Sequence, residues 1–172
     1  MPRIKPLAAA EDVNARVSKH DELSTQVLRQ FRMVFNSVRS HFREVEKTTG
    51  LGGAQVWALS HIRENPGLGV GQLALALDVH QSTASNLVRS LLAKDLVKTE
   101  QAKQDRRSVR LLIRPAGRAV LRRVPGPFMG VLPQALSSQD TAALRRLKRD
   151  LAGLIETMAP DETAAKKPLA QM

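Results

Sequence analysis

The sequence contains no cysteine and no tyrosine, and only 3% of its 172 residues are aromatic. Without cysteine, disulfide scaffolds, thiolate zinc sites and thiol-based redox sensing are excluded. The shortage of aromatic rings argues against a stacking platform for single-stranded nucleic acid or RNA. No apolar run reaches the length of a membrane span, and the opening MPRIKPLAAAEDV lacks a signal-peptide core. A cytoplasmic protein without membrane contact is the expectation. His20, His41, His61 and His80 are far apart and form no ligand-spaced cluster with carboxylates, so no metal site is expected. There is no nucleophile elbow, phosphate loop or HExxH helix, and no carboxylate pair marks a cleft. Neither catalytic residues nor a cofactor are expected, and the chain does not read as an enzyme.

What is present is positive charge. The net charge is +11, from 27 basic and 16 acidic residues, and 42% hydrophobic content allows a core. The excess is concentrated: residues 81–123 hold eleven basic side chains against Asp95, Glu100 and Asp105. A solvated surface would interleave the signs. This bias fits a polyanion partner whose binding weakens as salt rises.

The same stretch carries the most specific pattern. Leu73, Ala74, Leu77 and Val79 are spaced as one helix face. Asp78 stands where that helix must stop, a position that Gly fills best and Asp tolerates in the left-handed conformation. A second helix is predicted over about residues 81–94, with Ala84, Leu87, Val88, Leu91 and Leu92 as its buried stripe. Its other face offers Gln81, Ser82, Thr83, Ser85, Asn86 and Arg89. Such side chains suit a major groove, where Asn and Gln pair with adenine and Arg with guanine. They also serve as ordinary helix caps, and taken alone QSTASN does not separate the two roles. Asp95 is a second left-handed stop.

The segment C-terminal to this helix favours DNA. Residues 97–100 and 108–113 read as two strands around a polar basic loop, residues 101–107. A helix-turn-helix followed by a basic hairpin is a winged helix, whose loop lies on the DNA backbone or in the minor groove.

Residues 55–117 resemble the winged helix of the MarR family (multiple antibiotic resistance regulators). The resemblance rests on QLALALDVHQSTASNLVRSLLAKDLV and on Asp105-Arg106-Arg107, followed by an apolar strand and Gly117. It implies that Asp105 shapes the wing and that Arg107 reaches the minor groove, with Lys103 and Arg106 as further wing contacts. Asp105 would orient Arg107 by a charge-assisted hydrogen bond; a simple turn-forming Asp is the alternative. The chain departs from the family pattern at four places. Asp78 and Asp95 stand where Gly is common, and His80 where Ser or Thr is common. Arg114-Pro115 replaces a capping Thr. Pro at a first helical position is well tolerated, whereas His80 leaves the start of the recognition helix open.

The flanks are helical. Residues 1–20 read as a tail or short extra helix, and 21–53 as a long helix and linker striped by Val27, Leu28, Phe31, Val34, Phe35, Val38, Phe42 and Val45. The winged helix is assigned to 54–114, opening with a helix over about 54–64. A helix begins near Pro115, is interrupted at Pro125-Gly126-Pro127, and resumes through Phe128, Val131 and Leu132 with Pro133 as a local disturbance. Ser137-Ser138-Gln139-Asp140 reads as a capping box before a helix carrying Leu144, Leu147, Leu151, Leu154 and Met158. Residues 160–172 read as a flexible tail. The fold class is therefore mainly α with a small β-hairpin wing, a winged helix-turn-helix flanked by N- and C-terminal dimerisation helices. Their stripes exceed what the small central core can cover. Pairing with a second copy would set two recognition helices on a pseudo-palindromic site of double-stranded DNA.

The resemblance also implies a small phenolic or aromatic-acid effector bound between the dimerisation helices and the winged helix, weakening DNA affinity. Candidate pocket residues are Arg39, His41, Arg43, Trp57 and His61. Trp57 as plain core and the histidines as structural residues stand as the alternative. The family resemblance further implies a bacterial or archaeal cytoplasm, with nucleoid association when DNA is bound. The main reading is a homodimeric sequence-specific transcription regulator, a repressor relieved by a ligand. An architectural DNA-binding protein without ligand response is the alternative, and a protein-interaction winged helix a further one.

Overall fold

A computed structural model describes residues 8–101, 109–158, 166 and 168, with side chains from residue 19 onward. Among the described residues the chain forms seven helices and one two-stranded hairpin. In order these are α1 (Ala8–Thr49), α2 (Gly53–Glu64), α3 (Val70–Ala76), α4 (Gln81–Ala93), β1 (Val97–Gln101), β2 (Val109–Ile113), α5 (Pro115–Arg123), α6 (Val131–Ser137) and α7 (Thr141–Met158). The chain divides into two units between Ser37 and Val38. No described helix is long and apolar enough to cross a membrane.

The core of the second unit is built around α2. Leu59 and Ile62 of that helix meet Leu73 from α3, Leu91 from α4 and Leu111 from β2, all fully buried. Val45 from α1, Val97 from β1 and Leu121 from α5 complete it. The predicted helix-turn-helix face, Leu73, Ala74, Leu77 and Val79, is buried throughout.

The starts of α2 and α3 share one device. Gly52 and Gly69 precede α2 and α3 and have no side chain to cap with. Instead Gln55 and Gln72 reach back, each Oε1 accepting from the glycine N–H at 3.1 and 2.8 Å. This is half of a capping box. The ends of α3 and α4 share another. Asp78 and Asp95 have φ of +48° and +57°. Val79 N donates to Ala74 O, and Leu96 N to Leu91 O, each at 3.0 Å. Asp78 N and Asp95 N donate to Leu75 O and Leu92 O. This double bond pattern is the Schellman motif, with apolar Val79 and Leu96 buried beside it.

The hairpin pairs Val97 with Ile113 and Gln101 with Val109. A further rung was not legible in the sequence. Gly67 N donates to Leu111 O at 2.8 Å and Leu111 N to Leu68 O at 3.0 Å. The segment after α2 thus lies along β2, and Gly67 accommodates this with φ +89°.

Several expectations are corrected. Helix α1 begins at Ala8, so residues 8–20 are neither a tail nor a separate helix. Alanines and charged residues carry it, with no Gly or Pro between 8 and 49 to stop it. Leu92 is exposed, because the stripe of Ala84, Leu87, Val88 and Leu91 already fills the side facing α2. Phe128 lies in a turn rather than a helix, since Gly130 with φ +100° sets the start of α6 one residue later. Pro133 sits in the first turn of α6, where its missing N–H costs nothing. The cap of α7 is Asp140, whose Oδ1 accepts from Ala143 N at 2.7 Å, whereas Ser137 Oγ donates to Gln134 O.

Gly117 shows how tightly α5 meets the hairpin. A Cβ there would lie 2.4 Å from Leu96 O and 2.9 Å from Ile113 Cγ1. Backbone cannot yield as a flexible side chain would, so Gly117→Ala is expected to destabilise the fold by about 1–3 kcal/mol. A lowered denaturant midpoint with unchanged slope would show it; an unchanged midpoint would contradict this packing.

Candidate nucleic-acid interface

Helix α4 presents its two faces as its sequence requires. Ala84, Leu87, Val88 and Leu91 are buried. Gln81, Ser82, Asn86 and Arg89 are exposed, and Thr83 and Ser85 half-buried. His80 is the N-cap residue, with extended backbone and no side-chain cap, so the helix starts at Gln81. The i, i+4 sets Gln81, Ser85, Arg89 and Ser82, Asn86 share one side. Two of these side chains hold each other: Arg89 Nη1 donates to Asn86 Oδ1 at 3.0 Å. Ser85 Oγ donates to Gln81 O at 2.8 Å. Both bonds lie within the helix, so they order this face without engaging any other element.

Polar contacts place the helix as much as its buried stripe does. Gln55 Nε2 donates to Ser90 Oγ at 2.6 Å, tying the start of α2 to the last turn of α4. Lys94 Nζ donates to Gly50 O at 3.3 Å. At the C-terminal end, Arg114 Nη1 pairs with Asp95 Oδ1 at 2.8 Å, and Arg114 N donates to Leu96 O at 2.9 Å. Two of the departures from the family pattern are therefore partners. Arg114 occupies the N-cap of α5 without capping it and grips the residue that ends α4. No single-residue pattern in the sequence would have joined positions nineteen apart.

The wing is partly described. Lys98 Nζ donates to Glu100 Oε1 at 2.6 Å on one exposed face of β1. The Arg110 guanidinium lies against Gly67, exposed on β2. Lys103, Asp105, Arg106 and Arg107 lie outside the described residues.

The five expected pocket residues fall in different places. Trp57 lines an apolar cavity of about 80 Å³ with Val38, Phe42, Gly130 and Pro133. His61 borders an open groove of about 500 Å³ with Asn65 and Gln72. The two rings are adjacent, 6.2 Å apart and tilted. His41 Nε2 stands 3.1 Å from Pro127 O, holding the segment between α5 and α6. Arg39 and Arg43 are exposed and line neither space. Phe42, Gly130 and Pro133 were missed, because apolar wall residues look like core in a sequence. Among the described residues no three His, Asp or Glu side chains gather to hold a metal.

Residues 49–108 match the profile of the MarR family. No curated protein matches the chain. Solved structures do. The transcriptional regulator BldR from Sulfolobus solfataricus is 25% identical, with a TM-score of 0.51, covering 79% of this chain and 96% of its own. A MarR family transcription regulator is 19% identical, TM-score 0.53, covering 84% and 95%. A MepR-like protein complexed with pseudoligands is 18% identical, TM-score 0.50, covering 83% and 95%.

The Gln55 contact yields a test of how α4 is held. Gln55→Ala leaves Gly52 N and Ser90 Oγ without their partner, at an expected cost of about 1–3 kcal/mol. Denaturant titration would read it. Stability equal to that of the parent would mean that the bridge does not hold α4.

Proposed function

We propose that this chain, whose residues 49–108 match the MarR family, is a homodimeric sequence-specific DNA-binding transcription regulator. Its finer role is that of a repressor whose DNA affinity falls when a small aromatic or phenolic ligand binds. The observation that carries the DNA assignment is the α4 face. Gln81, Ser82, Asn86 and Arg89 are exposed on a helix anchored by its other side. Gln81, Ser82, Thr83, Ser85, Asn86 and Arg89 read base edges and adjoining phosphates in the major groove. Lys103, Asp105, Arg106 and Arg107 form the wing contact, with Arg107 in the minor groove.

Dimerisation is supported by apolar surface that the chain does not cover itself. No residue of α7 is buried, and Leu144, Leu147 and Leu154 stand open along it. In the first unit Leu23, Val27, Leu28 and Phe35 are likewise exposed on α1, Phe35 by 59%. Apolar surface of this extent on neighbouring turns marks an interface. Two copies related by a two-fold axis cover both stripes. Leu147→Glu is expected to convert the dimer to a monomer in sedimentation and to abolish tight operator binding. A Leu147→Glu protein that stays dimeric with parent affinity would count against this interface.

The effector reading is supported by the Trp57 cavity; the MepR-like relative was solved with pseudoligands. One observation favours an architectural protein instead: the net charge of +11, which binds any duplex. The two readings part on mutation. Asn86→Ala should lower discrimination between matched and mismatched sites by about 1–3 kcal/mol. Arg107→Ala should weaken binding to every sequence and reduce the salt slope by about one. Competition titrations on two DNA duplexes measure both, and an Asn86→Ala protein with undiminished discrimination would favour the architectural reading.

A further inference from the structure

We propose that the apolar cavity beside Trp57 is a binding site held closed by the chain's own Pro168, and that Lys166 ties this contact to the turn that enters the recognition helix. Two residues after α7 carry the inference. Pro168 is buried and forms part of the cavity wall with Val38, Phe42, Trp57 and Pro133. Lys166 Nζ pairs with Asp78 Oδ1. Asp78 is the left-handed residue between α3 and α4, two positions before the N-cap His80. Of these two residues, Pro168 touches the cavity and Lys166 the reading head.

The two contacts differ in kind. The ion pair is largely exposed, 47% and 81%, so it is weak alone and screened by salt. Pro168 supplies the apolar part, and proline loses almost no side-chain freedom on burial. The space left beside it, about 80 Å³, is well below the roughly 300–1,000 Å³ of small-molecule sites. A ligand of ordinary size therefore competes with Pro168 for this space. Displacement draws Lys166 from Asp78 and leaves a carboxylate uncompensated at the helix-turn-helix turn, where it repels DNA phosphates. The cavity and the reading head are thereby coupled, and the coupling is reciprocal. Only this last step rests on the DNA-binding assignment.

Trp57 is the one tryptophan of the chain, so fluorescence of the full-length protein reports on the cavity. The test is acrylamide quenching of Trp57 in the parent, Lys166→Ala and Pro168→Asp proteins, at low and high salt. Quenching is expected to rise in both variants, and in the parent as salt is raised. Equal quenching in all three proteins overturns the proposal, whether or not the protein binds DNA. The second arm measures operator affinity. Lys166→Ala should weaken it by up to about fivefold, the range of one exposed ion pair. Adding Asp78→Asn, which keeps the left-handed turn without the charge, should restore it. Failure to restore overturns the tie to the reading head and makes Lys166 a direct phosphate contact.

Discussion

The packing of one side of α4 against α2 governs what its other side can do. Ala84, Leu87, Val88 and Leu91 are buried against a core that α2 dominates. The exposed face of α4 is thereby held by both apolar and polar contacts. Gln55 fixes the last turn of α4 through Ser90, and Lys94 and Arg114 fix the residues that follow it. Gly117 then lets α5 approach the backbone at Leu96, immediately after the helix. Each of these contacts falls on α4 or on the residues that directly follow it.

The two aspartates illustrate how a departure from a family pattern is absorbed. Glycine would adopt the left-handed conformation at positions 78 and 95 without cost. Aspartate adopts it with some strain but brings a carboxylate, and both carboxylates have found cations. Asp95 meets Arg114, itself a departure, and Asp78 meets Lys166. The exposed pairs add little stability one by one. Their consequence is connectivity: each joins an end of the helix-turn-helix to a segment distant in sequence.

Much of this architecture was legible from local chemistry. The 3.6-residue spacing of Leu73, Ala74 and Leu77, the stops at Asp78 and Asp95 and the hairpin were readable because periodicity and turn preference act over short ranges. The polar face of α4 was readable because its apolar face was. What could not be read depended on tertiary partners. Leu92 fits the helical stripe as well as Leu91 does, and only the position of α2 decides between them. Ser137 and Asp140 are both good caps, and only Asp140 meets an N–H. Helical spacing pairs Arg39 with Arg43 and Trp57 with His61, but it cannot say which wall a pair lines, and of the five residues only Trp57 borders the apolar cavity. The α1 start was missed because residues 8–20 have helix-forming composition but little apolar patterning.

Sequence-specific recognition of duplex DNA is the central claim. The most direct measurement is a binding titration of the purified protein on a duplex from upstream of its own gene and on a scrambled duplex, at two salt concentrations. Specific recognition predicts a preference of about a thousandfold or more for the native duplex, the lower range of specific regulators, with salt weakening both. Equal and steeply salt-dependent binding to the two duplexes would contradict it.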